Sequence, residues 1–280
     1  MSEGAREDGS PAPGDAAPAS PVDAAVPPVG ALKREAGYFF AALYFFTRLP
    51  APAWVGHNAP ALARSARYFS AIGLLVGGIG AAVFALTHLF WPLTLCVLAS
   101  MAATIYLTGA IHEDGWSDTV DGFGGGWSKD KILAIMRDSR IGSFGATALV
   151  LILIFKFCAL LELGAALIPA ALIAGHAISR FCATTLMATL DYAREEGKAK
   201  AVASKLSPGE MVVGALFVLP ALVFLPPLPV ACGIVLALLA TLWLARLYRR
   251  QLGGYTGDCL GAVQQLSEVA FYGGLLCVFS

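Results

Sequence analysis

Long apolar runs alternate with short polar connections along this chain. No Asp, Glu, Lys or Arg occurs from 68 to 111 or from 211 to 245. About 20 apolar residues cross a bilayer core of roughly 30 Å as a helix, so each stretch predicts two crossings. The pattern predicts spans at 68–90, 93–111, 141–161, 165–190, 211–225 and 230–245. Trp91-Pro92 and the prolines 226, 227 and 229 supply breaks. A weaker seventh candidate covers 262–279, interrupted by Glu268 and two glycines. The aromatic stretch 38–46 is too short to span and is stopped by Arg48, Pro50 and Pro52. It predicts an interfacial or re-entrant helix. The expected fold is all-α: a polytopic integral membrane helical bundle of about six to seven transmembrane helices plus an N-terminal interfacial helix.

Two regions are expected. Residues 1–31 are rich in Pro and Ala and lack an apolar core of signal-peptide length, which predicts a disordered cytosolic tail. Residues 32–280 form the membrane-embedded catalytic domain. Composition supports the membrane reading: 58% of residues are hydrophobic and 14% charged, against about 25% charged in soluble domains. The 19 basic and 19 acidic residues cancel, so nothing suggests a nucleic-acid partner. Six cysteines without a CxxC pair read as packing residues, neither a disulfide nor a zinc site.

Charge then orients the spans. The turns near 91, 163 and 227 contain no Lys or Arg, whereas the longer connections carry Arg48, Arg64, Arg67, Lys129, Arg137, Arg140, Arg194, Lys205 and Arg246. With six spans these connections fall on one side. Basic loops face the cytoplasm, so every long loop is expected there, in an inner-membrane protein.

The connection at 112–127 carries the chemistry. Asp114, Asp118 and Asp121 are spaced i, i+4, i+7 and fall within about 60° of arc on a helix. Three converging carboxylates call for a cation, and hard oxygen ligands select Mg²⁺ or Mn²⁺. The bland alternative is a solvated acidic face, but no bases alternate with these acids. The stretch runs into glycines at 122 and 124–126, where bare backbone N–H groups could approach an anion. Next, Arg137, Asp138 and Arg140 precede Gly142 and a span read as charge-free. On a helix the two arginines would share a face and grip phosphate; positive-inside anchoring is the alternative. Further along stand His176, Ser179 and Arg180, then Arg194 and Lys198. An Arg inside a span faces a partner or a cavity. Last come Asp258, Gln265 and Glu268, whose i, i+7, i+10 spacing allows one helical face.

These stretches carry a resemblance. Residues 46–50, 68–77, 108–125, 135–142 and 254–262 are similar to the cobalamin synthase family, the adenosylcobinamide-GDP ribazoletransferases. The likeness runs in order over about 36–280, and the acidic motif and Met136-Arg-Asp-Ser-Arg-Ile-Gly142 are its specific parts. Position 116 is Trp where a smaller residue is expected. The resemblance implies that a ribose hydroxyl of α-ribazole or its 5′-phosphate attacks the phosphate on the aminopropanol arm of adenosylcobinamide-GDP. GMP leaves, and Mg²⁺ is the implied cofactor. The segment Asp118-Thr-Val-Asp121-Gly122 also fits the short DxxDG core of CDP-alcohol phosphotransferases, a mechanistic analogy only.

Together these readings assign Asp114, Asp118 and Asp121 to the metal. Asp121, Asp138, Arg137 and Arg140 are expected at the catalytic centre, and His112, Gly124, Gly125, Arg180, Lys198 and Asp258 against substrate. The partners are the two substrates and the lipid bilayer; a homo-oligomer is compatible with the pattern. The competing class is a multi-pass transporter or cation channel. A transporter would place ionisable groups near the bilayer midplane. Here most acids lie in loops and the spans read as nearly charge-free, which favours an enzyme at the membrane surface.

Overall fold

The computed structural model describes residues 30–55, 59–194 and 205–277. The expected tail at 1–31 lies almost wholly outside the described residues. Among them every regular element is helical: α1 (Ala31–Phe46), α2 (Ala59–Ser65), α3 (Phe69–Thr87), α4 (Leu93–Thr108), α5 (Ile111–Gly125), α6 (Lys129–Ile135), α7 (Ser143–Thr189), α8 (Pro208–Leu222), α9 (Pro227–Gln251) and α10 (Gly257–Leu276). The fold is a helical membrane bundle, as the apolar runs predict.

Three helical stretches are long and apolar enough to cross a membrane: Leu62–Thr87, α7 and α9. The bent pair α4 and α5 raises the number to four. Both are below the expected six to seven, for three reasons. α4 has 16 residues and α8 has 15, about 24 Å and 22 Å at 1.5 Å per residue. α10 carries Asp258 and Glu268. The expected third and fourth spans run together as α7, of 47 residues, which counts once in that number although it holds two limbs.

That element folds back on itself at Gly164, whose backbone leaves the helical region (φ 73°, ψ 160°). Lys156 lies before the break and His176 after it, yet both reach the carboxylate of Glu268, at 2.6 and 3.4 Å. On a straight helix they would stand about 30 Å apart. α7 is therefore an antiparallel hairpin whose two limbs are each long enough to cross. Its two ends return to the same side of the bundle. Gly142, just before α7, donates to Asp121 of α5, and Asp191, just after α7, accepts from Tyr255 N, which precedes α10.

α3 packs along the second limb of α7. A Cβ at Gly73 would meet the carbonyl of His176, and one at Gly77 the carbonyl of Leu172. This small-xxx-small spacing lets the two backbones approach closely, the contact that drives helix association where lipid competes with apolar side chains. α10 fills the centre and meets α9 at Gly274 and Gly233. Outward positions such as Val150, Leu151, Ile154, Leu239 and Trp243 are exposed and apolar, the surface lipid requires.

The turn between α4 and α5 positions the chemistry. Gly109 (φ 67°) and Ala110 (φ 59°) are both left-handed, and the two helix axes differ by 85°. Left-handed backbone costs an Ala roughly 1–2 kcal/mol, so the surroundings enforce this bend. Arg48 N donates to Leu107 O at 2.8 Å, and the Arg48 guanidinium stacks over Tyr106. With Glu113, Asp114, Asp118 and Asp121 along it, α5 belongs at the surface rather than in hydrocarbon.

Candidate active site

Close packing of α5 on α10 assembles the acidic group. A Cβ at Gly115 would strike the Asp258 carbonyl, and Gly261 sits against His112 and Gly115. This brings Asp258 of α10 beside Asp114 and Asp118 of α5. Burial pushes the Asp118 carboxyl up to about 7, and the negative charges of Asp114, Asp258 and Asp121 push the same way while Arg194 opposes them. Burial raises Asp258 as well, against the pull of Arg194. Arg194 Nη2 lies 2.8 Å from Asp258 Oδ2 and donates to Met136 O at 3.5 Å. The field is thus strongly negative, the condition under which a cation binds. Yet no group of three or more His, Cys, Asp or Glu among the described residues is arranged to hold a metal ion. The acids share a field without converging on a point.

Asp121 shows why. Its Oδ2 accepts from Gly142 N at 2.7 Å and its Oδ1 from Gly145 N at 2.8 Å. The carboxylate caps the α7 N-terminus, satisfying amides that have no partner within the helix. A Cβ at either glycine would collide with it. Asp121 is buried, whereas Asp114 is exposed. An arc of 60° is wide enough for one edge to face α7 and the other the open mouth.

Of the glycines expected to cradle an anion, Gly122, Gly124 and Gly125 lie inside α5 and Gly126 caps its end. Gly124 takes the ring of Phe144, where a Cβ would lie 2.8 Å from Cγ. Their value is close packing on the α7 entry; Gly125 also lines a cleft there. Arg137 and Arg140 do not share a helical face, because α6 ends at Ile135 and the chain turns, with Asp138 N donating to Ile135 O. Arg140 instead grips Asp138 through Nη2 at 2.7 Å and Nε at 3.0 Å. That grip holds the Asp138 carboxyl down at about 2. Asp121, Asp138, Arg140 and Gly142 line this open cleft of about 450 Å³; Arg137 is exposed and does not line it.

A second cavity, of about 280 Å³, opens between α1, α3, α5, α7 and α10. Phe45, Phe46, Phe69 and Leu260 wall it. His112, Asp114, Arg180, Arg194, Asp258 and Gln264 supply its polar lining. His112 is buried and stacks on Phe46, with ring centroids 5.6 Å apart at 11°. Three expected substrate contacts, His112, Arg180 and Asp258, therefore meet in one place. Lys198 lies outside the described residues.

Two groups beneath this cavity escape the pattern reading. Lys156 interrupts the span read as charge-free and is buried against Glu268. Glu113, within the acidic motif, accepts from Gln265 Nε2 at 3.0 Å. A lone Lys in an otherwise apolar run is itself a signal that a buried partner exists.

The family described as cobalamin-5-phosphate synthase matches residues 38–276. The chain belongs to the cobalamin-5-phosphate synthase family. It is 43% identical over 255 residues to the adenosylcobinamide-GDP ribazoletransferase of Shewanella frigidimarina, covering 88% of this chain and 96% of that relative. It is 44% identical over 264 residues to the ribazoletransferase of Leptothrix cholodnii, covering 89% and 98%. The Ralstonia nicotianae ribazoletransferase is 45% identical over 249 residues, with 86% and 95% covered. No solved structure matches the chain. The family match spans all ten helices except the start of α1, so the cavity and the cleft both lie within the shared architecture.

Proposed function

We propose that the chain is an adenosylcobinamide-GDP ribazoletransferase. The observation that carries this reading is near-complete coverage of relatives bearing that name, joined to an aromatic-walled cavity that also bears Asp114, Asp258, Arg180 and Arg194. A ribose hydroxyl of α-ribazole or its 5′-phosphate attacks the phosphorus on the aminopropanol arm of adenosylcobinamide-GDP. The new P–O bond closes the nucleotide loop, and the P–O bond to GMP breaks.

Asp114, Asp118 and Asp258 supply hard oxygen donors and negative charge of the kind a divalent cation takes, without a three-ligand geometry assembled among the described residues. Asp114 and Asp118, supported by Asp258, would hold Mg²⁺, whose part is to neutralise charge on the leaving phosphate. The remaining work falls to the chain's own groups. Arg194 balances Asp258 and stands where a phosphate arrives. Arg137 and Arg140 hold phosphate at the neighbouring cleft, with Asp138 fixing the Arg140 guanidinium. Asp121 orders the glycine turn that carries this cleft. A carboxylate of this acidic group accepts the ribose hydroxyl proton. The basic loops favour a cytoplasmic orientation of this end of the bundle at the inner membrane.

Proteoliposomes containing the purified chain test this. Release of GMP that requires both substrates supports the transferase. Solute flux without GMP release would support the transporter reading instead.

A further inference from the structure

The transfer chemistry leaves one buried cation without a task. Arg180 is 1% exposed. Its Nη1 contacts His176 Nδ1 at 3.1 Å and His176 O at 3.2 Å. Its Nε and Nη2 have no hydrogen-bond partner among the described residues. The nearby carboxylate, Glu268, is already engaged by Lys156 at 2.6 Å, by Tyr272 Oη at 2.9 Å, by His176 and by Gln264. It forms no ion pair with Arg180. A buried guanidinium with unmet donors is strongly unfavourable unless an anion completes it. Two of its nitrogens remain to be satisfied, and Arg180 is among the residues lining the cavity walled by Phe45, Phe46, Phe69 and Leu260.

We infer that this cavity is the acceptor site, with the aromatic wall holding the ribazole base and Arg180 binding its 5′-phosphate. The inference rests on the ribazoletransferase reading. Size and polarity both favour the acceptor. At about 280 Å³ the cavity lies at the small end of ligand sites. It has room for a bicyclic base and a phosphate, and none for a corrin macrocycle. Its wall is aromatic, which suits a flat apolar ring. The acids Asp114 and Asp258 lie at the same cavity, so a ribose between base and phosphate is held beside these carboxylates. The donor then presents its pyrophosphate there and keeps its corrin outside. Arg180 thereby sets specificity: the phosphorylated acceptor completes the guanidinium, and the bare nucleoside leaves it unpaired.

Steady-state GMP release in proteoliposomes tests the assignment with two acceptors, α-ribazole 5′-phosphate and α-ribazole. The parent should favour the phosphorylated acceptor in kcat/KM. Arg180→Gln should collapse that preference at least tenfold, and Arg180→Lys should restore it only in part, because a point charge lacks the fork. The KM for adenosylcobinamide-GDP should move less than twofold in both. A parent without preference, an Arg180→Gln variant that keeps it, or a rise confined to the donor KM would overturn the inference. Ala183→Leu fills the same cavity without touching the guanidinium and decides the matter if the Arg180 variants fail to accumulate. It should raise KM for both acceptors and not for the donor; a raised donor KM alone would place the donor here. No GMP release from the parent with either acceptor would defeat the ribazoletransferase reading itself, a distinct outcome.

Discussion

Lys156 Nζ lies 2.6 Å from Glu268 Oε1 in the interior of the bundle, with both side chains almost fully buried. The pair ties the first limb of the α7 hairpin to α10, and His176 ties the second limb to the same carboxylate. Removing one member leaves the other as an unpaired charge in a dry interior. Lys156→Met and Glu268→Gln should each destabilise the protein by about 3–5 kcal/mol. The double variant Lys156→Met, Glu268→Met should be less damaged than the sum of the singles. Unfolding of detergent-solubilised protein measures this; additive losses would show that the two groups are not coupled.

The cap formed by Asp121 predicts a different phenotype from its neighbours. Asp121→Ala should cost roughly 0.5–2 kcal/mol of stability through the lost cap, and Gly145→Ala should also destabilise by driving a methyl into the carboxylate. Asp118→Asn should leave the fold intact and lower turnover more than tenfold, about 1.4 kcal/mol of transition-state stabilisation. Melting temperature and turnover, measured on the same preparations, separate the two roles. Equal thermal losses for both Asp variants would contradict the division.

Protons and metal should compete at Asp118. Its carboxyl is raised to about 7 in the folded state, against roughly 3.9 in an unfolded chain. Between these values the folded protein keeps a proton that the unfolded chain has released. Stability therefore falls as pH rises from about 4 to about 7. A divalent cation offsets the repulsion once the proton has gone. Added Mg²⁺ should raise the melting temperature more at pH 8 than at pH 5, and Asp118→Asn should reduce that difference. An equal shift at both pH values in the parent would argue against metal at these acids.

Arg140 and Asp138 should matter for phosphate rather than for membrane insertion. Arg137→Lys and Arg140→Lys keep the charge and lose the fork, so each should impair turnover while membrane yield stays at the parent level. Because Asp138 stays ionised down to about pH 2, Asp138→Asn should leave the acidic limb of the pH–rate profile in place. Lys variants that turn over like the parent would remove the phosphate role.

Helix positions were legible from apolar runs and breakers, because those runs are set by bilayer thickness. The crossing count was not, since it depends on details that hydropathy averages away. Gly164 joins two limbs within one element, and α4 and α8 fall short of the bilayer core. The acidic motif was visible as a motif, but helical spacing cannot say that Gly142 and Gly145 will claim one of its three carboxylates. Arg137 and Arg140 looked coplanar on an assumed helix that in fact ends at Ile135. Asp258 joined the acids only through the contact of Gly115 with α10, a tertiary event with no local trace. Lys156 was hidden by the window that averages one charge into an apolar span.

The most direct test of the central claim is the product balance of the purified chain in liposomes supplied with adenosylcobinamide-GDP and α-ribazole 5′-phosphate. The account predicts one GMP released for each phosphodiester product formed, with both falling together by more than tenfold in Asp118→Asn. GMP released without the joined product, or an Asp118→Asn variant as active as the parent, would contradict it.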